Sequence, residues 1–251
     1  MKMEASPYQF LSAPATPTRG NVTVFVTDAL RQAIVTLQLK PGDIIDKSAI
    51  CERLGVSRFP VSEALARLQA EGLVDILPQR GSTVSLVRIA DVLEYMLIRK
   101  ALEAEAVRVV TGTHSDELID TLQRNMSYQR AAVEIDDQFG FHERDIEFHD
   151  IIFGDMRFTK VKGVIENTRA NLDRARRLIL TPRRLSVTLS EHQKILDGIV
   201  AGDAAGASTA MRAHIDSVMA ELIAFAADHA ELFADGDLLT EDPDYCAFPF
   251  G

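Results

Sequence analysis

The sequence predicts a mainly α chain: three short helices and a β-hairpin up to about residue 88, then an all-α antiparallel bundle of six helices. Three observations carry this reading. Apolar residues recur at i, i+3, i+4, i+7 in two early segments; short β-prone runs replace that period between Leu73 and Val87; and from Ile89 onward the helical period returns, interrupted mainly at glycines.

Taken in order, residues 1–22 hold Pro7, Pro14 and Pro17 and read as a disordered tail. Leu30, Ala33, Ile34 and Leu37 then form one helical stripe within about 24–39, stopped by Pro41-Gly42. A second helix fits Lys47–Leu54, with Asp46 as its N-cap and Gly55 as its C-terminal stop. Ser57 is placed to cap a third helix, and Pro60 falls in its first turn, where a missing N–H matters little. Val61, Ala64, Leu65 and Leu68 repeat the stripe, and Gly72 ends it. Leu73–Leu77 and Thr83–Val87 read as strands, and the turn-rich Pro78-Gln79-Arg80-Gly81-Ser82 between them suits a hairpin. Three helices and a hairpin over 23–88 make a winged helix-turn-helix, although small α+β modules in general share those parts. Helices are expected near 89–111, 115–137, 140–154, 157–180, 186–201 and 203–233, with breaks at Gly112, Gly140, Gly154, Thr181-Pro182 and Gly202. With no convincing strand among them, 89–234 is an antiparallel bundle, and 235–251 is a C-terminal tail.

A formal net charge of −10 argues at first against a polyanionic partner. The distribution reverses that inference. Residues 1–88 hold ten Lys and Arg against eight Asp and Glu, or +2, leaving 17 against 29, or −12, for the remainder. Only the first segment can approach a polyanion without strong repulsion. Cys51 and Cys246 cannot form a disulfide framework, which makes a reducing cytoplasm the expected compartment. No apolar run of membrane-spanning length occurs, so no membrane partner is expected.

Two groups of residues carry chemistry. Arg58 opens the second helix of the helix-turn-helix, where a guanidinium can reach guanine O6 and N7; taken alone, an Arg at a helix start is more often a solvated side chain. In the bundle, Asp145 and His149 stand at i, i+4 on one helical face, and His192 and His214 lie in later helices. One carboxylate and three imidazoles suit a divalent transition metal, whereas the Asp/His pair by itself is more often a surface ion pair.

The run from Leu54 through Arg58-Phe59-Pro60-Val61-Ser62 to Leu68, continuing over Glu71-Gly72-Leu73-Val74 to Arg80-Gly81, resembles the recognition-helix and wing signature of GntR-type transcription regulators. Asp145-Ile146-Glu147-Phe148-His149, Glu191-His192 and Arg212-Ala213-His214 resemble the ligand-bearing motifs of the FCD domain, the all-helical effector domain of the FadR subfamily. The resemblance covers about 24–230 and implies a dimer that reads a palindromic operator. It implies DNA contacts by Ser57, Arg58, Phe59, Pro60, Ser62, Arg80 and Gly81, with Lys47 and Ser48 as phosphate contacts. It also implies a metal held by Asp145, His149, His192 and His214, with zinc the leading candidate and nickel or manganese the alternatives. Arg99 matches the family's Arg-x-x-Leu-Glu pattern and, with Arg174, is assigned to a small carboxylate or sugar-acid effector; an i, i+4 pair of Arg99 with Glu103 is the competing assignment. Two positions depart from the family: Ser62 stands where Arg is common and Phe59 where Thr is common. The family's operator consensus is therefore not carried over. His114, His142 and His229 match no ligand motif and are assigned to surface or helix-end positions.

These features predict a transcription regulator, a repressor relieved by ligand, and not an enzyme. A metal-dependent hydrolase or lyase would need a base beside the ion, and Glu147 projects about 200° around the helix from Asp145. That alternative also leaves the winged module unexplained. A purely structural metal is the third reading.

Overall fold

The computed structural model describes residues 8–11, 19–77, 81–113, 115–155, 163–164 and 172–241. The chain divides into two compact units, Met1–Val87 with Glu231–Ala234, and Arg88–Ala230 with Asp235–Gly251.

In the N-terminal unit, α1 (Arg19–Val35), α2 (Lys47–Leu54) and α3 (Arg58–Ala70) accompany a three-stranded antiparallel sheet of β1 (Ile44–Ile45), β2 (Val74–Leu77) and β3 (Gly81–Val84), in the order β1-β3-β2. The hairpin register pairs Val74 with Val84 and Leu77 with Gly81. The helical stripes meet in one core through Leu30, Ala33 and Ile34 of α1, Ile50 of α2, and Val61, Leu65 and Leu68 of α3, but Leu37, expected to continue the first stripe, lies beyond the end of α1 at φ 60° and outside that core. Asp46 caps α2 by accepting from Ser48 and Ala49 N–H, and Gly55 ends it in the left-handed region at φ 63°.

Several features of this unit differ from the sequence reading. Strand β1 is too short to show a period, and it forms because Ile45 pairs with Ser82 and buries its side chain. The second hairpin strand ends at Val84; Val87 instead pairs in parallel with Phe233. Ser57 occupies the N-cap of α3 but makes no side-chain cap hydrogen bond. Residues 8–11 are not a loose tail. Tyr8 and Leu11 are fully buried in the same core, Asp46 N–H donates to Tyr8 Oη at 2.7 Å, and Arg53 donates to the carbonyls of Leu11 and Gln9.

The C-terminal unit comprises α4 (Ile89–Thr113), α5 (Asp116–Glu134), α6 (Gln138–Asp155), a helical segment over 172–178 (α7), α8 (Pro182–Val200), α9 (Ala204–Asp228) and a short α10 (Gly236–Glu241). The main packings are α4 on α9, α5 on α6, and α8 on α9 and α5. Gly198 lets α8 approach α9, because a Cβ there would lie 2.9 Å from Ala207 Cα. The α5–α6 break falls at 135–137 rather than at Gly140. Asp136 takes φ 55°, and the Asp137 carboxylate accepts from Gly140 N–H at 2.9 Å, so Gly140 lies inside the helix as part of its cap. Residue 235, expected to open a tail, is instead structural: the buried Asp235 carboxylate accepts from Ile89 and Ala90 N–H and caps α4. No helix among the described residues is long and apolar enough to cross a membrane.

Candidate metal centre and DNA-reading helix

On α3, the residues not used by the core present one outward face. Arg58, Phe59, Ser62 and Ala66 are exposed, and Phe59 is 76% exposed, an unusual cost for an aromatic ring unless a partner covers it. Arg67, further along, is held by Glu63 at 2.8 Å. Pro60 is half-buried in the first turn, and Ser57 is exposed beside it. Ser57 does not cap α3, and among the described residues no side chain accepts from its N-terminal N–H groups, whereas Asp46 accepts from two of those of α2. The N-terminus of α3 is thus the more open of the two to an anion, while at α2 the side chain of Lys47 is half-buried and that of Ser48 is exposed. Gly81 is exposed at φ 99°, with nothing near its Cβ position, which allows close backbone approach. Arg80 lies outside the described residues.

In the C-terminal unit, α6 contributes Asp145 and His149, α8 contributes His192 and α9 contributes His214. One ligand atom from each lies within 4.8 Å of the others, and all four residues are buried. Ligands around an ion at about 2.0–2.2 Å lie no more than about 4.4 Å apart, so closure onto an ion needs only a slight contraction. Two of the histidines have a hydrogen-bond partner at Nδ1, Gln129 Oε1 at 2.9 Å for His192 and Glu191 Oε2 at 2.9 Å for His214, while Glu103 Oε2 lies 2.6 Å from His149 Nδ1 without hydrogen-bond geometry. Such partners orient a ring and leave Nε2 for the ion. His149 Nε2, His192 Nε2 and Asp145 Oδ1 are buried and make no hydrogen bond, with the two imidazole atoms 3.9 and 3.5 Å from the carboxylate oxygen. Acceptors left facing one another in a dry site fit a cation between them. The residues present therefore fit a divalent ion.

Electrostatics point the same way. Burial drives His192 and His214 well below the ordinary imidazole range, and neighbouring histidines add to this, so both rings are neutral, the form that coordinates metal. Burial opposes the charge on Asp145, but Arg176, which donates to its Oδ2, and the surrounding histidines hold it well below the usual carboxylate range. Ring stacking fixes His192 further, since Phe148 lies parallel to it at 4.2 Å.

A small cavity of about 20 Å³ opens beside His149, lined by Arg99, Glu103 and Arg176 among others; it holds one water-sized group. Arg99 is buried there and its Nε donates to Glu103 Oε1 at 2.6 Å, so it makes the i, i+4 pair and also faces the cavity. Arg174 is buried but does not line this cavity, whereas Arg176, two residues on, does. Glu191 is visible in the sequence only as the neighbour of His192, and nothing local marks it, Gln129 or Arg176 as a partner of these ligands, because each acts on a residue from another helix. His142, assigned to the surface, is buried against Phe141, Asp145 and Arg176 in a second small cavity.

Compared with known proteins, residues 94–217 match the FCD domain and residues 23–84 match the bacterial regulatory proteins of the gntR family. An uncharacterized HTH-type transcriptional regulator in an unstable DNA locus of Streptomyces ambofaciens is 33% identical over 207 residues, covering 82% of this chain and 86% of that one. The HTH-type transcriptional repressor RspR of Escherichia coli is 28% identical over 210 residues, covering 82% and 91%. In fold, a crystal structure of a GntR regulator from Rhodococcus superposes with a TM-score of 0.69 at 21% identity, covering 81% of this chain and 98% of that one.

Proposed function

Because this chain belongs to the gntR family of bacterial regulatory proteins, a DNA-binding transcription regulator with an FCD domain, we propose that a small organic acid bound at a divalent-metal site in that domain modulates its operator affinity. The observation that carries this reading is the convergence of Asp145, His149, His192 and His214 beside Arg99 and Arg176. A divalent ion held by those four would supply a positive pole for one carboxylate oxygen. The two guanidiniums supply donors for the other oxygen. The small cavity requires side-chain movement before a larger acid can enter, and that movement is where ligand binding can distinguish two states. A ligand that binds both states equally shifts nothing.

The protein acts as a homodimer, each winged domain reading one half of a palindromic operator through α3, since one recognition helix reads only a few base pairs. The relative named as a repressor supports repression as the sign of regulation, and release by the bound acid is the response the reading assigns to it. Zinc suits three imidazoles and a carboxylate, with nickel and manganese as alternatives. The cavity's size favours one competing reading, a metal with a purely structural role. A thermal-shift screen of small carboxylates and sugar acids on zinc-loaded protein separates them: an acid that raises the melting temperature only with metal present, and that releases operator DNA, supports sensing. No response to any acid, with wholesale loss of stability on chelation, supports the structural role.

A further inference from the structure

We propose that Gln129 and Asn125 are positioning residues for this centre: a buried amide relay anchored on the backbone carbonyl of Arg144 fixes the tautomer of His192 and turns its Nε2 lone pair toward the metal position. The inference rests on the metal reading above. A backbone carbonyl only accepts, so Arg144 O, 3.0 Å from the Asn125 amide, identifies the facing atom as Nδ2, and the Glu147 carboxylate at 2.9 Å identifies it a second time. Asn125 therefore presents Oδ1 inward, where it accepts from Gln129 Nε2 at 2.7 Å. Gln129 in turn presents Oε1 to His192 Nδ1 at 2.9 Å, and that ring nitrogen must donate. With its proton on Nδ1, neutral His192 carries a lone pair on Nε2, the atom that faces Asp145. Both amides are buried, Gln129 completely, so water offers neither an alternative partner.

The choice of an amide has a consequence. His149 and His214 lean on carboxylates, Glu103 and Glu191, which are themselves paired with Arg99 and Arg184. Asp145 is paired with Arg176. A carboxylate in place of Gln129 would add a further negative charge behind the ion, whereas the neutral amide orients His192 and adds none.

The test uses the full chain stripped of metal and cobalt(II) as probe, with affinity measured by competition against a chromophoric chelator and coordination by ligand-field absorption. Gln129→Leu should weaken cobalt binding about ten- to a hundredfold. Asn125→Ala, which touches no ligand but frees Gln129 to turn over, should weaken it by a smaller factor and alter the absorption. Nitrogen-15 histidine spectra of the metal-free chain should show His192 protonated at Nδ1, and a mixture of tautomers in Asn125→Ala. Wild-type cobalt affinity in both folded variants overturns the proposal, as does a wild-type His192 protonated at Nε2. If Gln129→Leu does not fold, Asn125→Ala decides. If the wild-type chain binds no cobalt, the metal reading falls, and the tautomer of His192 alone upholds or overturns the relay.

Discussion

Arg58 is the side chain expected to contribute most to operator discrimination, because a bidentate contact to guanine is worth about 1–3 kcal/mol and Ser62 supplies no second guanidinium one turn on. Arg58→Ala should weaken operator binding about tenfold or more with an unchanged circular dichroism spectrum; anisotropy titration at moderate salt showing wild-type affinity would remove Arg58 from the interface. His142 was readable in the sequence only as an unmatched histidine, since nothing local reveals that α7 and α8 cover it. Burial, then the charge of Arg176, pushes it down to about 3. The unfolded chain thus binds a proton that the folded chain refuses between about pH 6.5 and 3. Stability due to neutral His142 is full above pH 6.5 and falls as pH drops through that window, by at most about 1.4 kcal/mol per pH unit. Denaturant unfolding of metal-free protein should show this slope reduced in His142→Leu relative to wild type. Equal slopes would refute the assignment.

At the scale of elements, local signals that act within one turn were legible and long-range ones were not. Asp46 and Gly55 bound α2 because capping is a contact between neighbours in sequence. Gly140 misled for the same kind of reason: it looks like a breaker, but its missing side chain makes room for the Asp137 cap, where a Cβ would sit 2.1 Å from Oδ2. The segment 8–11 was invisible because four residues carry no period, and its order comes from Tyr8 and Leu11 entering a core built by α1–α3. Tyr8→Phe leaves Asp46 N–H without its acceptor and should cost about 1–3 kcal/mol, while Tyr8→Ala, which also empties the site, should cost about 3–5 kcal/mol. Native-state hydrogen exchange of the α2 amides measures both. Unchanged protection in Tyr8→Ala would mean that the segment does not hold α2.

At the scale of the molecule, charge is partitioned by function. The excess of acid belongs to residues beyond 88, and the reading face of α3 carries one Arg among Phe, Ser and Ala. Non-specific affinity for DNA is accordingly expected to be weak, with specificity resting on doubled contacts from a dimer. Metal is expected to hold the C-terminal bundle together as well as to receive ligand, since its four ligands come from three helices. Zinc at a hundredfold excess over its dissociation constant should stabilise the metal-free chain by about 2.7 kcal/mol, read as a rise in melting temperature. A His192→Ala/His214→Ala double variant that keeps the full rise would refute the ligand set.

The sequence by itself determined the helical periods of the core stripes, the caps of α2 and the four residues that come together as a candidate metal centre, because each is written in spacing along one element or in an ordered motif. Tertiary structure alone decided what stands behind those ligands. Glu103 on α4, Gln129 on α5, Glu191 on α8 and Arg176 on α7 each reach a different one of the four. Helix packing sets those pairings, and packing depends on how whole apolar faces fit together, information that no local spacing contains.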